Sequence, residues 1–197
     1  IRAYEDIILK YPKDLEAKAL LVCRRWQFNR KGIPITSHVG MDAILEQIFA
    51  KDQNHPAHHY AIHLWDNRKH EQALDSAARL GQTAPGIAHM WHMPGHIYSK
   101  AKRYQDAVWQ QQASARVDHK HMMKWFLLPD QIHNYAHNNE WLSPNFSLLG
   151  MVRARIDMAK ALLGDPRHPK LQYPGQGSAR YGRRSLIIVL ETDEFWQ

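Results

Sequence analysis

The stretch WHMPGHIYSKAKRYQDA, residues 91–107, decides the fold class. It places a bulky residue, a small one, an aromatic one and a second small one at Trp91, Gly95, Tyr98 and Ala107. In a repeat made of two helices, small residues let the helices approach closely, and large residues fill the space between successive pairs. The spacing therefore predicts that residues 91–107 cross both helices of one such repeat.

A second copy of this pattern precedes the first. Three pairs of residues are separated by 34 positions: Ala61 and Gly95, Leu64 and Tyr98, and Ala73 and Ala107. A period of 34 residues is that of the tetratricopeptide repeat (TPR), a helix–turn–helix unit that stacks into a solenoid. The chain is therefore predicted to be all-α, a TPR-like α-solenoid of antiparallel helix pairs over residues 1–163.

Helical periodicity and breaker residues place the other elements. Upstream, the pattern predicts helices over residues 1–11, 14–30 and 41–50, with Lys31–Gly40 as a loop. Downstream the period slips, so the next pair is predicted at Pro129–Trp141 and Phe146–Leu163. Residues 164–197 are predicted as a loop-rich tail, with a loop over Arg167–Tyr181 and a closing helix over Ser185–Trp196. Within that helix, the run Leu186–Leu190 is also compatible with a strand.

Composition excludes several classes of protein. With 197 residues, 44% of them hydrophobic, the chain can bury a core. Its single cysteine, Cys23, excludes a disulfide framework and a cysteine-based zinc site. The apolar runs are too short for a membrane span. The net charge of +7 is scattered along the chain, which does not favour nucleic-acid binding. Because the chain opens at Ile1 inside a predicted helix, we expect it to be a piece of a longer polypeptide, and its compartment stays open.

Histidines carry most of the chemical information. Three sets recur at spacings that share one helical face: His59 with His63, His89 with His92 and His96, and His133 with His137. The repeat register directs the middle set towards a concave groove. Imidazole-rich sites suit zinc, copper or iron better than magnesium or calcium. The predicted metal ligands are His59, His63, His92, His96, His133 and His137, followed by His58 and His89.

Two functions remain open at this point. A metal in the groove would be structural, or it would serve hydrolysis or oxidation with Tyr98 or Asp130 as the proton-transfer group. The alternative is a metal-free scaffold that holds a peptide or protein partner in the groove. Whether the chain is an enzyme is left undecided.

Several motifs are similar to those of a group of bacterial TPR proteins that are often fused to thioredoxin-like (redoxin) domains. The resemblance rests on HPAHHYAIH at residues 55–63, HMPGHIY at residues 92–98, and His133 with Asn134; GSARYGR at residues 177–183 is similar too. It implies an α-solenoid and an extracytoplasmic setting beside a redox module. This chain has no redoxin motif, so that partner would lie outside it. The resemblance implies no reaction.

Overall fold

The computed structural model describes residues 1–170 and 178–192, and every regular element in them is helical. The all-α prediction is therefore confirmed. The α-helices are α1 (Arg2–Lys10), α2 (Leu15–Asn29), α3 (His38–Phe49), α4 (His58–Trp65), α5 (Leu74–Thr83), α6 (Ala88–Lys100), α7 (Tyr104–Trp125), α8 (His133–Leu148), α9 (Val152–Gly164) and α10 (Ser178–Thr192). Short 3₁₀ turns occur at His70–Ala73 and Pro129–Gln131.

Two compact units divide the chain, and the first covers Ile1–Ala84. It contains α1 to α5. Its core holds Val22 of α2, Leu45 and Ile48 of α3, Ile62 of α4 and Leu80 of α5, all fully buried. The Asp14 side chain caps α2 by accepting a hydrogen bond from the backbone N–H of Ala17 at 2.9 Å.

The second unit covers Pro85–Gln197 and contains α6 to α10. A three-residue turn joins α6 to α7, and the two helices pack along their length. Helix α8 packs against both of them, and its Leu142 and Phe146 form an apolar cluster with Val108 of α7. Helix α10 lies against α8 and α9, so the described part of the predicted tail belongs to this unit.

Two glycines permit close helix contacts in the second unit. A Cβ atom at Gly95 of α6 would stand 2.6 Å from Cδ of Gln111 on α7. A Cβ atom at Gly182 of α10 would stand 2.8 Å from the backbone nitrogen of Leu163 on α9. A larger residue at Gly182 would strike the backbone of α9 and force the helices apart, whereas one at Gly95 would displace the side chain of Gln111.

The predicted loop Lys31–Gly40 is wrong at its end, because α3 begins at His38. The Ser37 hydroxyl accepts a hydrogen bond from the backbone N–H of Gly40 at 3.0 Å. That N-cap starts the helix three residues before the predicted Met41 and brings Gly40 into its first turn.

The predicted boundary between Pro129–Trp141 and Phe146–Leu163 is also wrong. Helix α8 runs on to Leu148 with Pro144 inside it. The chain turns instead at residues 149–151, where Gly150 adopts the left-handed conformation with φ +71°. Phe146 therefore belongs to α8, and the next helix begins at Val152.

The closing helix is longer than predicted at its start. Helix α10 begins at Ser178, so the predicted loop Arg167–Tyr181 is wrong for its last four residues, while residues 171–177 lie outside the described ones. Leu186–Leu190 is helical, which decides against the strand. The predicted end of this helix, at residues 193–196, lies outside the described residues. Among the described residues, no helix is both long and apolar enough to cross a membrane.

Candidate metal centre

Three histidines of the second unit meet at one point. His92 and His96 lie one turn apart on α6, and His137 projects from α8. Each offers a ring nitrogen, and these nitrogens all lie within 4.8 Å of one another. The ring centroids are 4.6 Å apart for His92 and His96, 5.0 Å for His92 and His137, and 6.3 Å for His96 and His137. We call these three residues the histidine cluster.

Two buried amides fix the orientation of His92. Its Nδ1 lies 2.9 Å from Oε1 of Gln111 and 3.0 Å from Oδ1 of Asn138. The amide nitrogens of both side chains donate to backbone carbonyls, Gln111 to His92 at 3.4 Å and Asn138 to Gln111 at 2.7 Å. Both amide oxygens therefore face His92, and because an amide oxygen only accepts, Nδ1 carries the proton. The lone pair of His92 is thereby placed on Nε2.

This lone pair points into the histidine cluster. Nε2 of His96 lies 2.8 Å from Nε2 of His92 and donates a hydrogen bond to it. His92 is 1% exposed, and burial lowers its pKa to about 4 because the protein interior disfavours the imidazolium. The ring is therefore neutral at physiological pH, which is the form that binds a metal.

A carboxylate orients the third histidine. Oε2 of Glu140 lies 3.5 Å from Nδ1 of His137, and its Oε1 lies 3.0 Å from the guanidinium of Arg184 on α10. A carboxylate beside one ring nitrogen favours a proton there and leaves the other nitrogen as the ligand. Glu140 is mostly buried, with 13% of its side chain exposed, so Arg184 neutralises a charge that would otherwise be costly.

Aromatic rings from two helices lie beside the cluster. Trp141 of α8 packs against His96 with ring centroids 4.0 Å apart. Tyr181 of α10 lies 5.8 Å from His137 and 5.9 Å from His133. These rings cover part of the cluster, and 30% of the His137 side chain stays exposed.

Three other residues of this unit that the sequence singled out are His133, His89 and Tyr98, and none of them belongs to the histidine cluster. The rings of His133 and His137 stack 5.3 Å apart. His89 is 5.7 Å from His92, and its Nδ1 lies 3.3 Å from Oδ1 of Asn134. Tyr98 is buried under the guanidinium of Arg103, 4.8 Å from its ring.

Asp130, the second proposed proton-transfer group, lies in the 3₁₀ turn before α8. Its Oδ2 accepts a hydrogen bond from the backbone N–H of His168 at 2.8 Å. Burial, together with the charge of Asp130, raises the pKa of Asp165 to about 6. Asp130 therefore interacts with the segment that follows α9.

Histidines of the first unit have different surroundings. His58 stacks on Phe49 at 3.9 Å, and its ring nitrogens lie 2.9 Å from the hydroxyl of Ser76 and 2.9 Å from the carbonyl of Gln53. Both nitrogens of His58 are thus engaged within the protein. The rings of His59 and His63 are 4.5 Å apart, and His63 also stacks on Trp26 at 4.0 Å.

Sequence reasoning did not place Gln111, Tyr181 or Arg184 at a metal site. Gln111 falls in the polar run Gln110–Gln112 of α7. Nothing in that run distinguishes Gln111 from its neighbours; the structure shows that it packs against Gly95 of α6. Tyr181 and Arg184 belong to the segment around the start of α10, which carries no ligand-like spacing. Asn138 and Glu140 stand within three residues of His137 in sequence, which makes them candidate supports for a ligand, and the structure places both beside histidines.

No family model, curated protein or solved structure matches the chain significantly.

Proposed function

We propose that the histidine cluster binds one transition-metal ion: zinc, copper or iron. The observation that carries this proposal is the buried, neutral His92, whose Nε2 lone pair points at His96, with a ring nitrogen of His137 within 4.8 Å. Three imidazoles and no carboxylate ligand form a donor set that suits these metals.

The distances support this assignment. Ligand nitrogens at about 2.0–2.1 Å from a tetrahedral zinc stand about 3.3 Å apart. The nitrogens of His92 and His96 are 2.8 Å apart, joined by one hydrogen bond. Loss of the shared proton and a widening of about half an ångström would turn this pair into two ligands.

Three protein ligands favour a reactive site over a purely structural one. Structural zinc sites use four protein ligands, whereas catalytic sites use three and keep a fourth position for water or substrate. A metal at the cluster would supply Lewis-acid chemistry for hydrolysis, or redox chemistry if it were copper or iron. Glu140 and Arg184 would hold His137 in place during either reaction.

For the whole chain, we propose a TPR-like stack of antiparallel helix pairs. The short connections between α6 and α7 and between α8 and α9 support it, because three residues bring the second helix back along the first. The resemblance to bacterial TPR proteins fused to redoxin domains supports it too, and it makes a redoxin module the expected partner.

Metal analysis tests this function. Protein purified without a histidine tag would be loaded with zinc, copper(II) or iron(II), desalted, and analysed by elemental mass spectrometry. We expect about one equivalent of one metal, and less than a tenth of it in His92→Gln/His96→Gln. The matched control is His119→Gln/His121→Gln, which removes two exposed histidines of α7 and should bind normally.

Two outcomes would refute the metal site. One is a native protein that retains none of the three metals; the other is equal retention by native protein and the His92→Gln/His96→Gln variant. Circular dichroism shows whether that variant is folded. If the native protein binds no metal and the folded His92→Gln/His96→Gln variant no longer binds a protein partner, the metal-free scaffold is the better description.

A further inference from the structure

The last two turns of α7 leave large apolar side chains in solvent. Met123 is 65% exposed, Trp125 is 59% exposed, and Phe126, which caps the helix, is 93% exposed. We call residues 119–126 the basic aromatic end of α7. It lies within the second unit, and none of its residues belongs to the histidine cluster.

The cap residue Phe126 lowers the stability of the folded chain, because its backbone is strained and its ring is not buried. Phe126 adopts the left-handed conformation with φ +53°, and its N–H donates to the carbonyl of Met122. Glycine usually occupies such a cap, and another residue there costs stability because its side chain strains the backbone. Phe126 recovers none of that cost by burial, since almost its whole ring is exposed. A strained residue that presents a bare aromatic ring points to a role outside the folded core.

The buried face of α7 also runs on into this exposed end. Gln111, Ser114, Asp118 and Met122 follow one another at helical spacing, and all four are buried. Trp125 is the next residue on that face, three positions after Met122, yet it is exposed. The apolar surface at the end of α7 is therefore a continuation of a packed face.

Two lysines supply the charge of this end. Lys120 and Lys124 are exposed, and His119 and His121 flank them. From residue 119 to residue 129 the sequence contains no acidic residue. Asp118, the residue before this end, is buried and accepts a hydrogen bond from Asn134, and Asp130 accepts one from the backbone of His168.

We propose that the basic aromatic end of α7 docks on an anionic lipid surface. Trp125 and Phe126 would enter the boundary between headgroups and acyl chains, and Lys120 and Lys124 would meet the lipid phosphates. Exposed aromatic rings beside lysines are the composition of segments that bind membrane interfaces.

Two other anionic partners fit this surface less well. An extended contact with nucleic acid needs more phosphate contacts than two lysines make. A stable protein interface takes about 20–30 residues on each side, whereas this end has eight. Binding to lipid needs only a few inserted rings and is weak and reversible at this size.

Vesicle flotation tests the proposal with the full chain. We expect binding to vesicles of phosphatidylcholine and phosphatidylglycerol at a 7:3 ratio, and little binding to phosphatidylcholine alone. Lys120→Gln/Lys124→Gln should weaken the binding by about 30-fold, because each lysine contributes about 1 kcal/mol at an anionic surface. Trp125→Ala/Phe126→Ala should weaken it at least tenfold.

The control variant is Trp109→Ala, which removes a tryptophan on the same helix with similar exposure, 54%. It should bind vesicles as the native protein does. Brominated lipids should quench the tryptophan fluorescence of the native protein, and they should quench that of the Trp125→Phe variant less.

Three results would overturn the proposal: no binding to the anionic vesicles, equal binding by the Trp125→Ala/Phe126→Ala variant, or tighter binding to a 20-base-pair DNA duplex or to polyglutamate. The last result would assign the surface to nucleic acid or to an acidic protein.

Discussion

Replacement of Gly95 by alanine should damage the fold and the histidine cluster together. The new Cβ atom would stand 2.6 Å from Cδ and 2.9 Å from Cγ of Gln111. Gln111 is 0% exposed, so its side chain has no solvent to move into. Because the same side chain accepts the proton of His92 Nδ1, its displacement also removes one of the two amide oxygens that orient His92.

The expected cost follows from three opposing effects. Alanine in place of glycine inside a helix stabilises it by about 1 kcal/mol. Overpacking of a buried contact costs about 1–3 kcal/mol. Leaving buried polar groups of Gln111 and His92 without partners costs a further ~1–3 kcal/mol. We therefore expect Gly95→Ala to lower the free energy of unfolding by about 3 kcal/mol.

Urea unfolding in the presence of a chelator measures this loss. The control is Gly164→Ala at the end of α9, where a Cβ atom would meet nothing within 4 Å and stability should stay level or rise. Gln111→Ala provides the sharper comparison, since it removes the side chain that the new methyl group would strike. In the Gln111→Ala variant, the further change Gly95→Ala should not lower the free energy of unfolding. Equal stability of native protein and Gly95→Ala, or an undiminished cost beside Gln111→Ala, would refute the reasoning.

The pKa of His92, lowered to about 4, predicts how stability depends on pH. The unfolded chain takes up a proton near pH 6.5 and the folded chain only near pH 4, so stability is complete above about pH 7 and falls by roughly 2 kcal/mol by pH 5. Urea unfolding of metal-free protein at both pH values measures this, and His92→Gln should flatten the dependence; an unchanged slope would contradict it. Glu140→Gln keeps the shape of the side chain but removes its charge, and it should weaken metal binding about tenfold in competition with a chromophoric chelator. Glu71→Gln, at the exposed pair where His70 lies 3.2 Å from Glu71, is the matched control, and equal affinities for the two variants would exclude a role for Glu140.

Sequence periodicity predicted the parts of the site that depend on one helix or one helix pair. Gly95 and Ala107 are small residues at repeat spacing, and both are buried between packed helices. The spacing of His92 and His96 likewise predicted that they share a face. These inferences hold because helical geometry alone relates residues three or four positions apart.

Which histidines form the cluster depends on the packing of helices against one another, so residue spacing along the sequence could not predict it. His133 and His137 are equivalent by spacing, yet the rotation of α8 about its axis brings His137 to His92 and His96. The hydrogen bonds of Gln111 and Asn138 to His92 join α6, α7 and α8, and no local rule relates positions so far apart. The end of α8 was misjudged because tertiary packing tolerates Pro144 inside a helix.

Main-chain carbonyls of His92 and Gln111 hold the two amides that orient His92, so its lone pair is aimed by the polypeptide itself. In zinc fingers, by contrast, the ion organises the chain, and folding waits for metal. Under the proposed function, loading would be a late event in the life of this protein, and one ion could be exchanged for another without unfolding. A cell short of the metal would then accumulate folded, inactive protein that is ready for activation, instead of unfolded chains bound for degradation.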